Sequence, residues 1–228
     1  MNNSSISYLV TCKNENDELR RLVTQLSSHI SENKLNDEIV ILNDFTDNPD
    51  TIQILKEFEN VEYVKIVKHS LNGNFGEHKT YGSRCCAKDI IIQLDADEYL
   101  ATPFLENMHE LLECNPTVEL YRVPRVNIVR GATAADAMQW GWRFFNIPQH
   151  PNLPIINWPD YQSRIYKNSE KIFWKKKLHE TITGAETVTE IPLDPDFAII
   201  HDKTIDRQRK QNEFYNKNWS TQENQGLG

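Results

Sequence analysis

No stretch of roughly 18 apolar residues occurs anywhere in the chain, which excludes a membrane-spanning helix. The first residues, Met1 to Ser5, are rich in Asn and Ser and lack the basic-then-apolar pattern of an export signal, so a cytoplasmic protein is expected. Only four cysteines are present, Cys12, Cys85, Cys86 and Cys114, and no pair has the C-x-x-C spacing of a zinc or redox site. They read as small residues in a reducing compartment, not as a disulfide framework. Glycine and proline are scarce, 8 and 10 of 228 residues, which excludes collagen-like and low-complexity chains. What remains is an ordinary folded composition, 39% hydrophobic and 25% charged, at a length that suits one domain of ~200 to 250 residues.

Charge is spread unevenly. The formal net charge is −8, with −11 in residues 1–120 and +3 in residues 121–228, so the two parts of the chain face different partners.

The first part alternates short apolar runs with helical periodicity. Ile6 to Thr11, Glu38 to Leu42, Val61 to Val67 and Asp89 to Leu94 are rich in β-formers, and three are nearly continuous in apolar residues, as strands covered on both faces should be. Between the first two, Glu15 to Ser31 places Leu19, Leu22, Val23, Leu26 and Ile30 at helical spacing. Asp47 can cap a second helix with Pro49 in its first turn, and Thr102-Pro103 opens a helix that runs to Asn115-Pro116. The repeated β-α order predicts an α/β fold with a parallel sheet and right-handed crossovers. The second part predicts a strand over Glu119 to Arg125 and an aromatic stretch kept irregular by Pro148, Pro151 and Pro154. Short extended pieces at Ser163 to Tyr166, Lys171 to Trp174 and Phe197 to Ile200 precede a closing helix from Ile205 to Trp219.

The strongest chemical signal is Leu94-Asp95-Ala96-Asp97-Glu98 at the carboxyl end of a buried strand, where ligands of open α/β sheets bind. Two aspartates at i and i+2 on an extended segment can face one hard cation, and Mg²⁺ or Mn²⁺ joins carboxylates to ligand phosphates. A plain helix-starting role for Asp97 or Glu98 would leave Asp95 unexplained. Asn43-Asp44 closes the second strand, where a carboxylate can accept from a base N–H or from ribose; a turn aspartate is the alternative.

These segments, with Thr11-Cys12-Lys13-Asn14-Glu15 and with Asn72-Gly73 ahead of a helix, resemble family 2 glycosyltransferases of the GT-A fold over about residues 5–115. The resemblance implies a GT-A-like, Rossmann-related, mostly parallel sheet flanked by helices, forming a single domain over residues 1–228. Residues 1–118 would bind a nucleotide sugar, and residues 119–228 would form an aromatic-rich acceptor half and carboxyl-terminal helix. It further implies donor contacts from Thr11, Asn14, Glu15, Asp44, Asn72, Gly73, Lys79, Asp95 and Ala96, with Asp95-x-Asp97 as the DxD metal and diphosphate motif. The family's second strand usually ends Asp-Asp-Gly-Ser, whereas this one ends Asn43-Asp44-Phe45-Thr46, a departure at residues that meet the base.

Trp174 to Glu180 (WKKKLHE) is similar to the Val-His-Glu segment of a subgroup of the family, and Ile199-Ile200-His201 resembles that subgroup's carboxyl-terminal part. His201 is expected to complete a Mn²⁺ or Mg²⁺ site, with His179 as the substitute. Transfer with inversion, implied by the resemblance, needs a base for the acceptor hydroxyl, and Glu180 and Asp160 are the candidates. The expected activity is monosaccharide transfer, hexosyl or pentosyl, from a nucleoside-diphosphate sugar, with UDP as the expected nucleotide. Trp140, Trp142 and Trp158 can form a sugar platform or fill a core.

Two basic groups, Arg164 to Lys177 and Lys203 to Lys210, either form a solvated face or meet phosphates. The expected acceptor is a saccharide or, where the basic groups meet phosphates, a modified base in phage DNA, in which case the protein acts in the host cytoplasm. Two rival readings stand beside the enzyme. One is a nucleotide- or carbohydrate-binding module without turnover. The other is a nucleotide hydrolase, since Gly73 to Thr80 imitates a phosphate loop, but His78 stands where that loop requires glycine.

Overall fold

The computed structural model describes residues 4–218, so Trp219, the last residue of the expected closing helix, lies outside the described residues. The chain opens with β1 (Ile6–Cys12), α1 (Asp17–Asn33), β2 (Glu38–Asn43), α2 (Pro49–Phe58), β3 (Val64–Lys68), α3 (Phe75–Arg84) and β4 (Ile90–Asp95). Strands β3, β2, β1 and β4 lie side by side and all parallel, the arrangement that the β-α order predicts. The apolar runs of β1, β2 and β4 are buried on both faces, whereas the edge strand β3 buries only Val64. Leu19, Leu22, Val23, Leu26 and Ile30 of α1 pack with Tyr8, Val10, Ile39 and Ile41. Leu9, Val40 and Leu42 face the other way and pack with Tyr166 and Trp174.

Asn48, not Asp47, caps α2: its side chain accepts from the N–H groups of Asp50 and Thr51, because Pro49 then falls at the first helical position. The single helix expected after Pro103 is two, α4 (Thr102–Glu106) and α5 (Met108–Cys114), separated by Asn107.

Beyond β4 the sheet continues through strands that the sequence marks in part, at Glu119 to Arg125, Ser163 to Tyr166 and Phe197 to Ile200, and through others that no local signal marks. After β5 (Glu98–Leu100) come β6 (Leu120–Arg130), α6 (Ala134–Trp140), β7 (Phe144–Phe145) and the long β8 (Ile155–Lys167). The chain closes with β9 (Phe173–Lys175), β10 (Thr181–Thr183), β11 (Val188–Glu190), β12 (Ile199–Thr204) and α7 (Ile205–Asn218). The ten-stranded sheet has the order β3-β2-β1-β4-β8-β6-β12-β5, with β11 on β6 and β7 on β8. Strand β8 is antiparallel to both neighbours and runs through Pro159, whose bond to Trp158 is cis, where only Ser163 to Tyr166 is expected to be extended.

Register decides which side chains meet. Thr11 lies beside Asp95 and Cys12 beside Asn43, which levels the carboxyl ends of β1, β2 and β4. Farther along, His201 of β12 lies between Asn127 of β6 and Glu98 of β5, while Arg125 lies opposite Asp160 of β8.

Candidate active site

The edge formed by β1, β2 and β4 gathers charge of both signs. Asp95 accepts from Thr11 Oγ1 at 2.8 Å and Gln93 Nε2 at 3.0 Å, and pairs with Arg164 at 3.0 Å and Lys79 at 3.3 Å. Burial alone would raise the Asp95 pKa, but Lys79 and Arg164 outweigh it and hold the carboxyl well below the usual range. Lys79, buried in α3, also donates to Glu180 Oε1 at 2.6 Å. Burial raises the Glu180 pKa as well, yet the neighbouring ammonium leaves it below its ordinary value. Arg164 in turn pairs with buried Glu98 at 2.8 Å, and Glu98 pairs with Arg125 at 3.0 Å. A polar cavity of about 270 Å³ opens between Lys79, Arg164, Glu180, Trp174, Tyr161 and Arg122.

The second aspartate of the motif turns elsewhere. Asp97 Oδ2 lies 3.1 Å from His201 Nε2 and 3.4 Å from Arg207 of α7. Its pKa is lowered: burial pushes up, but His201 and Arg207 prevail. His201 Nδ1 meets Asn127 Oδ1 at 3.0 Å, and Asn127 Nδ2 donates to Asp160 at 2.9 Å. Asp160 also takes Arg125 Nη2 at 2.7 Å and Gln162 Nε2 at 2.7 Å, so both its oxygens are engaged.

Arg207 reaches Glu15 at 3.3 Å and Glu18 at 2.5 Å. Burial pushes Glu15 up to about 7, with the N–H of Lys13 opposing and Asp97 adding. Asp44 is buried at the end of β2, pairs with Lys13 at 2.8 Å and accepts from the Leu71 N–H at 2.9 Å. Asn14 is committed locally: its side-chain oxygen accepts from the N–H groups of Asp47 and Asn48 and holds that turn against the loop after β1. Asn72 and Gly73 form the positive-φ turn before α3, and the Ala96 N–H donates to the Thr11 carbonyl at 3.0 Å.

The expected residues thus fall into two neighbouring groups, Thr11, Lys79, Asp95 and Glu180 in one and Asp97 with His201 in the other. Asp95 does not converge with Asp97 and His201, and among the described residues no three His, Cys, Asp or Glu side chains are arranged around one point as a metal cage. His179 is exposed. Trp140 and Trp142 lie tilted against each other with ring centroids 4.7 Å apart, half-buried over Val129, Ile156 and Ile205, so they cover a small apolar cluster. Lys79 lies inside a helix, bound to two carboxylates, so the segment from Gly73 to Thr80 does not form a phosphate loop. Arg125, Asn127 and the structural use of Arg164 have no local signal; only strand register brings them to the site.

The parallel β-α sheet with an acidic carboxyl-terminal edge, extended by antiparallel strands, is the GT-A glycosyltransferase fold. The sequence matches the model of glycosyl transferase family 2 over residues 7–186, and the chain belongs to that family. S. aureus TarS 1-349 in complex with UDP-GlcNAc is similar at a TM-score of 0.55 and 13% identity, over 87% of this chain and 58% of that one. S. aureus TarS 1-349 gives 0.53 and 12%, over 87% and 60%. The chain spans less than two thirds of these structures. No curated protein matches the sequence. No helix among the described residues is long and apolar enough to cross a membrane.

Proposed function

We propose that the chain transfers a monosaccharide from a UDP-sugar to a hydroxyl acceptor, with a divalent cation at Asp97 and His201. The observation that carries this is the two-part edge: a carboxylate and an imidazole nitrogen 3.1 Å apart, next to a lysine-bridged carboxylate pair that borders a polar cavity. The donor set suits the cation, since one carboxylate and one imidazole leave the remaining positions of Mn²⁺ to diphosphate oxygens and water. Asp95 is committed to four donors, so its task in this reading is to orient Lys79 and Arg164. TarS, which shares the fold, has been solved with UDP-GlcNAc, which supports UDP as the nucleotide.

Glu180 is the proton acceptor in this scheme. Asp160 has no oxygen to spare, whereas Glu180 is ionised, borders the cavity and gives one oxygen to Lys79. The acceptor hydroxyl passes its proton to Glu180 as its oxygen bonds the anomeric carbon, and the bond from that carbon to the diphosphate breaks on the opposite face. Asp97 and His201 would hold the cation, which would supply charge compensation to the departing diphosphate. Glu15, Asp44 and the turn at Asn72-Gly73 would contact the nucleotide.

A saccharide is the preferred acceptor. Arg164, Lys171, Arg207 and Arg209 are all paired with carboxylates, which leaves the exposed Lys175, Lys176 and Lys177 as the main basic patch for a polyanion such as DNA. Incubating the protein with UDP-GlcNAc and Mn²⁺ tests the reading. Release of UDP, lost in Asp97→Ala, is expected; binding of UDP-sugars without any turnover would make the chain a binding module.

A further inference from the structure

We infer that Gly76 and Thr80 of α3 are positioning residues that dock the loop carrying Glu180, so that Lys79 and Glu180 meet the cavity as one unit. This rests on the role of Glu180 proposed above and extends it to two residues that do not border the cavity.

Glu180 lies outside the main sheet. It ends the turn that joins β9 to β10, and these strands pair only with each other, as a separate two-stranded sheet. Trp174 and Ile182 anchor the two strands by packing with Leu9, Val40 and Leu42, but the turn beyond them needs its own support. Its backbone is constrained: Lys176 and His179 have φ of 72° and 52°, a left-handed region that residues with side chains seldom occupy. The support comes from the start of α3. The first N–H groups of a helix have no partner within it. Asn74 accepts from the Glu77 N–H at 3.1 Å, and the turn serves two of the others. The Phe75 N–H donates to the Lys177 carbonyl at 2.9 Å and the Gly76 N–H to the Lys176 carbonyl at 3.1 Å. One helical turn along the same face, the Thr80 hydroxyl accepts from the Trp174 N–H at 3.0 Å and donates to the Trp174 carbonyl at 3.2 Å. From the position between them Lys79 reaches Glu180 at 2.6 Å.

The docking requires glycine at position 76. A β-carbon there would lie 2.5 Å from the Lys176 oxygen, 2.9 Å from the Lys175 carbonyl carbon and 3.0 Å from its oxygen, all backbone atoms that cannot rotate away. Helix α3 is held at its other end by Gly82 against Leu9 and Leu42, while Lys175, Lys176 and Lys177 are exposed. The loop is therefore the partner that must give way, and Glu180 moves with it, away from Lys79.

A ¹³C-glutamate NMR titration of the full chain reads the placement of Glu180 without donor, metal or turnover. Burial opposes the charge on Glu180, and Lys79 of α3 favours it and prevails. Asp95 of β4 also opposes it, Arg164 of β8 favours it, and Tyr215 of α7 faces it as a neutral phenol. The Glu180 midpoint should lie below the ordinary carboxylate value in the wild type and rise in Gly76→Ala. It should also rise, by less, in Thr80→Val, which removes both hydrogen bonds without adding bulk and so carries the test if Gly76→Ala does not fold. Thr80→Ser keeps the hydroxyl and should restore the wild-type midpoint. In UDP-release assays Gly76→Ala should lower kcat by about 10²-fold, the cost of a misplacement near 1 Å, with donor KM unchanged. The same substitution should cost little further in a Glu180→Gln background, because it acts through that carboxylate. Wild-type midpoints in Gly76→Ala and Thr80→Val would overturn the positioning role. So would an equal loss of kcat with and without Glu180, or a raised donor KM at unchanged kcat. Shifted midpoints in the variants, with no UDP release from the wild type, would overturn the transfer reading and leave the docking of the loop standing.

Discussion

In the proposed transfer, a lysine buried between two carboxylates sets the charge at the base. Lys79 binds Asp95 and Glu180, and its ammonium keeps Glu180 below its ordinary pKa against the upward push of burial. Replacing Lys79 by Gln removes that charge, so the acidic limb of the pH profile of kcat/KM should move to higher pH; an unmoved limb would mean that Glu180 is not the base. Glu180→Gln should lower kcat by about 10²- to 10⁴-fold with little change in donor KM, measured as UDP release. Away from the site, His109 of α5 donates to buried Asp37 at 2.9 Å, and this bond, against the cost of burial, raises the histidine pKa above its ordinary 6.5. Because the folded pKa is raised, the contribution to stability is complete below pH 6.5 and is lost as pH rises through the folded value. Denaturant titrations from pH 5 to 9 should show that decline in the wild type and a flatter profile in His109→Gln.

Among the elements, α3 has the narrowest tolerance because it carries Lys79 and lies close on the sheet. A methyl group at Gly82 would come within 2.8 Å of Leu42 Cδ2 and 2.9 Å of Leu9 Cδ1. Gly82→Ala should cost about 1–3 kcal/mol through overpacking, which a thermal melt would register as a fall of about 2–4 °C per kcal/mol. It should also reduce transfer by shifting Lys79. The strands β1, β2 and β4 and the helix α1 were legible because their apolar runs and helical spacing are local patterns. Strand β8 was not, since Pro154 and Pro159 mark a break in any local reading, whereas pairing on both sides keeps the strand extended. Asp47 and Asn48 are both competent caps, and only the position of Pro49 in the formed helix separates them.

For the whole molecule, topology assembles what spacing along the chain cannot. Asp95, Asp97 and the candidates Glu180 and His201 were visible as motifs, but Arg125, Asn127 and the inward use of Arg164 depend on strands 30 to 100 residues apart meeting in one register. The same topology ties Arg164 into a buried ion pair and pairs Lys171, Arg207 and Arg209 with carboxylates nearer the surface. If the acceptor is a saccharide, replacing Lys175, Lys176 and Lys177 together by Ala should leave transfer and its salt dependence unchanged. A flattened salt dependence would instead point to a polyanion.

The most direct measurement is the melting temperature of wild type and Asp97→Ala with UDP, in the presence and absence of Mn²⁺. At about 100 times the dissociation constant a ligand adds about 2.7 kcal/mol, or roughly 5 to 10 °C for a chain of this size. The wild type should show that rise only when UDP and Mn²⁺ are present together, and Asp97→Ala should show none of the Mn²⁺-dependent part. An equal rise in both proteins, or one indifferent to Mn²⁺, would contradict a cation held by Asp97 and His201.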